Sequence, residues 1–362
     1  MPRIKPDLLE SFVSEIFFKA GLSREESNGV SHYLISANLA GHDSHGVARV
    51  PRYVGWKRDG AFLPDRKVKR VVDTPVLAIL DGQFGFGQTI APQAVDIGIE
   101  KCKAMGLAAI GLRNSGHVGR VGDWAERAAA AGLVSIHFVN VNGSVLVAPF
   151  GGVERRFSTA PYCIGIPRAG SDPLILDFAT SLVAEGKVLV ASQGGKKIPA
   201  DALVSPDGQM SGDPHVLYGD YERKDPRNPD RGPGAIRAFG EHKGSGLALM
   251  CEVLGGALTG NGGTTPGHRW AQGMFSFYVD PKVVDPENFF PAEVTRYLDF
   301  VKSSKPMTAG DEVLVPGEPE TRNRAERRAN GIPISDDTWA AIVATAREVG
   351  VEERHIQAAS AL

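Results

Sequence analysis

Short apolar runs alternate with amphipathic segments through the centre of the chain, and this order constrains the fold more than any other feature of the sequence. Residues 88–106 and 121–132 have apolar positions at helical spacing, and each segment ends at a glycine. The runs of strand length and composition are residues 76–82, 107–112, 134–141, 163–167 and 174–179. Such an alternation predicts a mixed α/β centre.

Both ends of the chain have helical patterns instead. Apolar residues recur at helical spacing in PDLLESFVSEIFFKAG, which ends at Gly21. Ser23 and Glu26 fit a capping box for a second helix that runs to about Gly41. Near the other end, Ser335 is placed to cap a helix in DDTWAAIVATAREVG. We expect the terminal helices to pack together. The expected division is a discontinuous helical domain, residues 1–75 with 305–362, and a mixed α/β domain, residues 76–304.

Two other segments are distinguished by composition. Residues 205–240 are rich in glycine, proline and aspartate, which predicts a surface loop. Residues 242–260, HKGSGLALMCEVLGGALTG, are apolar and glycine-rich, which predicts a well-buried helix.

Charge and cysteine content exclude several classes of protein. A formal net charge of -2 over 362 residues provides no basic field for nucleic acid or anionic membrane. The basic segment TRNRAERR, residues 321–328, is therefore predicted to be a solvated helix face. The three cysteines lie far apart without a CxxC, which favours a reducing cytoplasm over a disulfide framework. The chain starts without a signal-peptide pattern and has no run of about 18 apolar residues, so we expect no membrane segment.

The stretch GHDSHGVARVPRYV, residues 41–54, concentrates polar chemistry in a chain with nine histidines. His42, Asp43 and His45 could bind a metal, but no second cluster supplies the ligands that structural zinc needs. The GxSxG pattern of the commonest serine hydrolases is absent. An acid–base site remains, since an imidazole titrates near neutrality. The alternative without a functional role is a polar helix end with a surface ion pair.

Arg49 adds a carboxylate-binding group to this stretch. It lies four residues after His45, so both side chains share a face if the segment is helical. A guanidinium binds a carboxylate through two parallel hydrogen bonds, and Ser44 could assist or orient the histidine. A proton donor beside a carboxylate-binding arginine suits a 2-oxo or 2-hydroxy acid.

A dinucleotide site of the ordinary kind is not indicated by the glycine pattern. GHVGRVG, residues 116–122, lies between a strand and a helix, but its spacing is GxxGxxG rather than GxGxxG. The next strand ends in Asn140 and Asn142 rather than in an acid for a ribose hydroxyl. Tight strand–helix turns account for these glycines.

Several motifs in a fixed order identify a family. GHDSHGVARVPRYV, RNSGHVGRVGDWAERAAAAG, VAPFGG, LILDFATS, EGKV, HKGSGLAL and VPGEPE follow one another along nearly the whole chain. Together they resemble the malate/L-lactate/ureidoglycolate dehydrogenase family, a non-Rossmann group of NAD(P)-dependent oxidoreductases. The resemblance implies an α/β (α+β) fold with a largely antiparallel mixed sheet beside helices from both chain ends. It also implies a homodimer whose active site lies near the subunit boundary.

The resemblance assigns roles to individual residues. His45 is implied as the proton donor in reduction, Arg49 as the carboxylate-binding group, and Ser44 holds the position of the family's serine. His117 is a second candidate for the acid–base role, and Asp177 is implied to orient His45. The implied cofactor is NAD or NADP, with a mild preference for NAD, and no metal. The implied cofactor-binding residues are His45, Val118, Gly119, Arg120, Asn142, Leu176, Asp177, Phe178, Ala179, His242, Lys243, Gly317 and Glu318. Arg120 and Lys243 could neutralise phosphate, and Glu318 could accept from a ribose hydroxyl.

Two departures from the family pattern lie near the expected pocket. Residues 158–161 read STAP where relatives often read GTNP, and Ala160 lacks an amide. Gly116 stands where a polar residue or histidine is common. These departures leave the identity of the substrate open.

The expected activity is hydride transfer between a nicotinamide and C2 of a small 2-hydroxycarboxylate of the malate, lactate or aryl-lactate type. One alternative is reduction of a cyclic imino acid of the piperideine or pyrroline carboxylate type with the same His45 and Arg49. A dinucleotide-binding protein without turnover is the alternative outside enzymology, and the intact Ser44, His45, Arg49 and Asp177 argue against it. Neither nucleic acid nor membrane is an expected partner.

Overall fold

The computed structural model describes residues 2–192, 194, 196–222 and 227–360. Its strands are β1 (Arg3–Ile4), β2 (Lys69–Asp73), β3 (Leu77–Asp81), β4 (Leu107–Ser115), β5 (Val134–Asn142), β6 (Pro161–Ile166), β7 (Leu174–Ala179), β8 (Leu203–Val204), β9 (Met210–Ser211), β10 (Ala235–Ile236), β11 (Ala271–Val279) and β12 (Ile332–Pro333).

The α-helices of the described part are α1 (Pro6–Lys19), α2 (Arg24–Leu39), α3 (Val50–Arg58), α4 (Gly87–Met105), α5 (Gly122–Ala130), α6 (Glu185–Ser192), α7 (His215–Tyr218), α8 (His242–Cys251), α9 (Pro281–Val284), α10 (Phe289–Lys302), α11 (Glu318–Asn330), α12 (Asp336–Glu348) and α13 (Glu353–Ser360). Short 3-10 turns occupy Asp43–His45, Val47–Arg49 and Pro229–Arg231, and a π-helix, Glu252–Leu258, continues α8.

The central sheet has seven strands in the order β2-β3-β4-β11-β5-β6-β7. Only the pairing of β3 with β4 is parallel, and the remaining pairs in this sheet are antiparallel. This confirms the expected mixed, largely antiparallel sheet. It differs from a Rossmann sheet, which is mostly parallel.

The two ends of the chain pack together beside this sheet. β1 pairs with β12 through Ile4 and Ile332, and both side chains are buried in one apolar cluster with residues of α1, α2, α3 and α12. The predicted caps also form: the Ser23 hydroxyl accepts from the Glu26 N–H at 3.2 Å, and the Ser335 hydroxyl accepts from the Thr338 N–H at 3.2 Å. The domain boundaries stay a prediction, and β2, which precedes residue 75, pairs with β3.

Two expectations about local structure were wrong. Residues 205–240 contain β9, α7 and β10, and the side chains of Leu217 in α7 and Ile236 in β10 are fully buried. The turn-forming residues there connect short elements, of which α7 and β10 contribute to a second apolar cluster. The helix at 242–260 is covered on one side only, since Leu249, Met250 and Val253 remain exposed.

None of the helices in the described part of the chain has the length and apolar character needed to cross a membrane.

Candidate active site

The histidine-containing stretch is a clamped turn between α2 and α3. Asn38, in the last turn of α2, donates its amide N–H to Asp43 (2.6 Å) and accepts the Val47 N–H (2.8 Å). Arg327 of α11 donates to the same Asp43 carboxylate at 2.5 Å. A Cβ on Gly46 would overlap the Asn38 amide, so only glycine lets the turn lie this close to α2. The stretch is therefore held from two sides, unlike a free helix end.

This turn joins Ser44, His45 and Arg49 by hydrogen bonds. The Ser44 hydroxyl lies 3.0 Å from Nδ1 of His45, and the Arg49 Nε donates to the Ser44 carbonyl at 2.6 Å. Among the described residues, the structure gives the two terminal nitrogens of Arg49 no hydrogen-bond partner. His45 and Arg49 are half-buried and line a cleft of about 610 Å³. The guanidinium fork is thus available to a carboxylate in that cleft.

His117 lies in the same cleft, and its ring stacks on that of His45 with centroids 5.4 Å apart. Its Nδ1 is 2.5 Å from the hydroxyl of Tyr53, and that hydroxyl accepts an N–H from Gln88 at 2.6 Å. Sequence reasoning missed Tyr53 and Gln88. Tyr53 could have been found, because it lies four residues after Arg49 at the start of a helix, whereas nothing local connects Gln88 to the site.

Burial controls the protonation of these groups. It lowers the pKa of His45 to about 3, with the positive charge of Arg49 as the next cause. It also lowers the pKa of His117 well below its usual value, again with Arg49 as the next cause. It raises the pKa of Tyr53 to about 12. Without a ligand, both imidazoles are therefore neutral and the phenol is protonated near neutral pH.

The role expected for Asp177 differs from what its contacts indicate. Its carboxylate accepts the N–H of Gly122 at 2.7 Å and lies 4.0 Å from Nε of Arg120. The group that contacts Nδ1 of His45 is the Ser44 hydroxyl. The aspartate lies on β7 and is hydrogen-bonded to the first residue of α5, so it fixes the cleft wall rather than the imidazole.

Arg120 likewise differs from the expectation. Its side chain is 1% exposed, and it forms ion pairs with Asp123 (3.0 Å) and Glu126 (2.8 Å) in addition to facing Asp177. Because three carboxylates compensate its charge, its expected role as a phosphate-neutralising cation is not supported by this geometry.

The other expected cofactor-binding residues fall into separate places. Six of them line the cleft: His45, Gly119, Arg120, Asp177, Phe178 and Ala179. Val118 and Asn142 are buried, and Leu176 is exposed on β7. His242 and Lys243 begin α8, where the His242 ring contacts Phe150 at 5.9 Å. Gly317 and Glu318 line a different pocket of about 250 Å³, and Glu318 pairs with Lys302.

The cleft is also lined by four residues to which the sequence assigned no role: Arg52, Trp56, Lys187 and Trp270. The rings of Trp56 and Trp270 pack in a tilted arrangement with centroids 4.8 Å apart. Arg52 has no carboxylate partner among the described residues and lies over the Trp56 ring at 5.6 Å. Arg52 could have been found from its spacing to Arg49, but only the fold brings Trp270 to Trp56.

The two departures from the family pattern have structural explanations. A Cβ on Gly116 would lie 2.5 Å from the carbonyl oxygen of Gly85, so this backbone approach requires glycine. Ala160 is fully buried beside Ala248 and Cys251. Its neighbour Thr159 lines the cleft instead. Ala160 therefore does not present its side chain where a substrate would bind.

The cleft has features that fit a nicotinamide dinucleotide. Its volume lies within the range of about 300–1,000 Å³ that is usual for ligand pockets. Gly119 lines the cleft in the turn after His117, with the left-handed φ of 75° that favours glycine. Next to the cleft residue Val141, Asn142 donates its amide N–H to Asn261 at 2.9 Å, while its Oδ1 has no hydrogen-bond partner within the described residues. A buried orphan acceptor of this kind fits a carboxamide N–H. The described part of the chain contains no group of three histidine, cysteine, aspartate or glutamate residues that could hold a metal ion.

Known proteins match nearly the whole chain. The family model described as malate/L-lactate dehydrogenase matches residues 4–343. Hydroxycarboxylate dehydrogenase B of Escherichia coli (strain K12) is 39% identical, over 98% of this chain and 97% of that protein. The solved structure of malate dehydrogenase from Pyrococcus horikoshii OT3 has a TM-score of 0.84 at 27% identity, covering 97% of this chain and 96% of that one. Delta1-piperideine-2-carboxylate reductase from Pseudomonas syringae has a TM-score of 0.80 at 27% identity, covering 96% and 100%.

Proposed function

The chain belongs to the malate/L-lactate dehydrogenase family, and on this premise we propose that it interconverts a small 2-hydroxycarboxylate and its 2-oxo acid with NAD or NADP. The observation that carries the proposal is the joining of His45 and Arg49 by Ser44 at the wall of one cleft. An acid–base group beside a guanidinium with free terminal nitrogens is what a 2-oxo acid requires.

The nicotinamide cofactor supplies the hydride chemistry when it is bound. Gly119, Asp177, Phe178 and Ala179 are the cleft residues proposed to hold it, with Asn142 accepting from its carboxamide. We propose NAD rather than NADP as the preferred cofactor, following the family resemblance.

Each substrate-binding group has a distinct role in the proposed reaction. Arg49 binds the substrate carboxylate and thereby fixes the orientation of C2 and its oxygen. His45 returns a proton to the C2 oxygen during reduction and removes it during oxidation. Ser44 orients the imidazole through Nδ1, which leaves Nε2 for the substrate.

A second guanidinium favours one substrate class within the family. Arg52 lines the cleft three residues after Arg49 and has no carboxylate partner among the described residues. We propose that it attracts a second anionic group, as in oxaloacetate and malate. Replacing Arg52 with Met should raise KM for oxaloacetate at least about 10-fold and leave KM for pyruvate within about 2-fold, as expected for one charged hydrogen bond. Equal changes for both substrates would contradict this role.

The test of the main proposal is oxidation of NADH and NADPH by the purified protein with pyruvate, oxaloacetate and phenylpyruvate. His45→Ala should lower kcat by about 10²–10⁴-fold, the usual contribution of a general acid–base group. Arg49→Met should raise KM by about 10- to 150-fold, from the loss of about 1.5–3 kcal/mol. Equal losses in both parameters for both variants would count against these roles.

A second candidate function is the reduction of a cyclic imino acid, which the similarity to delta1-piperideine-2-carboxylate reductase favours. The same proton donor and carboxylate-binding group would then serve a C=N bond. Including piperideine-2-carboxylate among the substrates separates the two functions, since turnover of the imine alone would replace the 2-oxo acid proposal.

We also propose a cytoplasmic homodimer with the active site near the subunit boundary. Cys102, Cys163 and Cys251 are buried and free, which suits a reducing compartment. Light scattering on the purified protein should give twice the 38.6 kDa mass of one chain. A mass equal to that of one chain would exclude the proposed homodimer.

A further inference from the structure

The amide of Gln88, the phenol of Tyr53 and the imidazole of His117 form a buried chain of hydrogen bonds. Gln88 Nε2 lies 2.6 Å from the Tyr53 hydroxyl, which lies 2.5 Å from Nδ1 of His117. Tyr53 is fully buried, Gln88 is 1% exposed and His117 is 7% exposed. Such a chain is isolated from water, so each proton in it must have a partner within the protein.

The chemistry of the groups sets the direction of this chain. An amide nitrogen only donates, so the Tyr53 oxygen accepts from Gln88. The phenolic proton then needs an acceptor, and Nδ1 of His117 is the one within reach. An Nδ1 that accepts leaves the single proton of a neutral imidazole on Nε2.

We propose that Tyr53, whose oxygen accepts the hydrogen bond from Gln88, is a positioning residue that fixes His117 as the Nε2–H tautomer, a neutral hydrogen-bond donor to the C2 oxygen of the substrate. His45, whose Nδ1 contacts the small hydroxyl of Ser44, then exchanges the proton. The two histidines therefore have separate roles: His117 polarises the oxygen and His45 protonates it. The assignment of the C2 oxygen rests on the proposed function, whereas the tautomer is observable without turnover.

The surroundings of His117 reinforce the neutral state. The groups that face it are Tyr53 and Arg52 from α3 and His45 and Arg49 from the preceding turn, and both arginines and the second histidine disfavour a positive charge on its ring. Gly87 precedes Gln88 at the start of α4. A Cβ there would overlap the carbonyl of His117, so the glycine lets the helix bring Gln88 to the phenol.

A substitution that reverses the chain gives the sharpest test. In Gln88→Glu the new carboxylate can only accept, so the Tyr53 proton turns toward it and Nδ1 of His117 must donate. In Gln88→Met no group competes for the phenolic proton, and the Nε2–H tautomer remains. The first variant is therefore expected to move the proton of His117 to Nδ1, and the second is not.

The measurement is nitrogen NMR of the full-length, histidine-labelled protein without ligand, above the pKa of the new carboxyl. The His117 signals are assigned by their loss in His117→Gln. In the unsubstituted protein and in Gln88→Met, Nε2 should carry the proton, and in Gln88→Glu it should move to Nδ1. Nδ1–H in the unsubstituted protein, or an unchanged tautomer in Gln88→Glu, overturns the proposal.

Kinetics give a second, independent readout. Tyr53→Phe should lower kcat for 2-oxo acid reduction about 10- to 100-fold with little change in KM, the range for a misplaced catalytic group. Tyr297→Phe, an exposed tyrosine on α10, is the matched control and should leave both parameters unchanged. A Tyr53→Phe enzyme with unchanged kcat overturns the proposal. Absence of any turnover in the unsubstituted protein would instead remove the proposed function, while the NMR result would still decide the tautomer.

Discussion

His45 and His117 stack on each other, yet their surroundings differ in ways that matter for proton transfer. His45 is half-buried at the cleft and contacts the Ser44 hydroxyl. His117 is nearly inaccessible and is held by the phenol of Tyr53. Proton exchange with water needs access, and polarisation of an oxygen needs a fixed donor. The first histidine therefore meets the requirement for an acid–base group, and the second meets that for a fixed donor.

The lowered pKa of His45 predicts opposite pH dependences for the two directions of reaction. Because the pKa of His45 is lowered to about 3, its imidazole is unprotonated in the free enzyme at neutral pH and can act as a base. For hydroxy acid oxidation, kcat/KM should stay level from about pH 5 to pH 8. For 2-oxo acid reduction it should fall about tenfold per pH unit over that range, because the protonated form becomes scarcer. A rise in the oxidation profile with a midpoint near 6.5 would contradict the lowered pKa.

Gly46 is the residue on which the geometry of the turn depends. In Gly46→Ala the added Cβ would overlap the Asn38 amide and displace it from Asp43 and Val47. A displacement of about 1 Å should lower kcat/KM about 10²-fold. Gly55→Ala in α3 is the matched control, since the nearest atom to its Cβ is 3.9 Å away. Full activity in Gly46→Ala would show that the turn tolerates the displacement.

At the scale of elements, buried polar groups determine how strands and helices meet. The Glu252 carboxylate, where α8 becomes a π-helix, accepts hydrogen bonds from Asn140 (3.0 Å), the Ser158 hydroxyl (2.7 Å) and the Thr264 hydroxyl (2.8 Å). It thereby joins β5 to the two loops that carry Ser158 and Thr264. The π-helix also lies close to β5, because a Cβ on Gly255 would be 2.7 Å from the Phe138 carbonyl oxygen.

His137 on β5 predicts how stability varies with pH. Its ring nitrogens lie 2.8 Å from the Ser276 hydroxyl and 3.0 Å from the Ser135 hydroxyl, and burial lowers its pKa to about 3. The unfolded chain therefore binds the proton first, and stability is lost as pH falls from about 6.5 toward the folded value. This group should contribute up to about 1.4 kcal/mol per pH unit to the slope of the unfolding free energy.

Urea denaturation at several values between about pH 4.5 and pH 7.5 would measure that slope. His137→Gln removes the titrating group and should show the shallower slope, while His45 and His117 contribute equally to both proteins. Parallel slopes for the two proteins would exclude His137 as a source of acid sensitivity.

At the scale of the whole molecule, the C-terminal helices support the turn that carries the candidate catalytic residues. α11 provides Arg327 to Asp43, and α12 packs against α3 with Ile342 fully buried in the same apolar cluster as Tyr53. An ion pair between Arg58 of α3 and Glu348 of α12 joins the two helices at 2.8 Å. The site therefore depends on residues nearly 300 positions away in the chain.

Ile342→Ala should destabilise the whole protein because it leaves a cavity in that cluster. The expected loss in unfolding free energy is about 2–5 kcal/mol, against about 0.5–1.5 kcal/mol for the control Ile342→Val. Chemical denaturation monitored by circular dichroism and by activity would measure both. Equal stability of the two variants would show that the cluster does not couple the chain ends.

The sequence by itself determined the features that depend on local spacing. The alternation of apolar periods predicted most of the strands and helices, and the caps at Ser23 and Ser335 formed as expected. Ser44, His45 and Arg49 could be grouped because they lie within six residues of each other. Tight motifs of this kind keep their geometry wherever the segment is placed.

Only the tertiary structure decided which groups are paired, buried or left free. It brought Tyr53, Gln88 and His117 into one hydrogen-bond chain and surrounded Arg120 with carboxylates. It also hydrogen-bonded Asp177 to the first residue of α5. It also buried Leu217 in a segment whose composition predicted a surface loop. The physical reason is common to these cases. The pKa of a group, and whether its charge is available to a ligand, depend on neighbours contributed by distant segments, and no spacing within one segment specifies those neighbours.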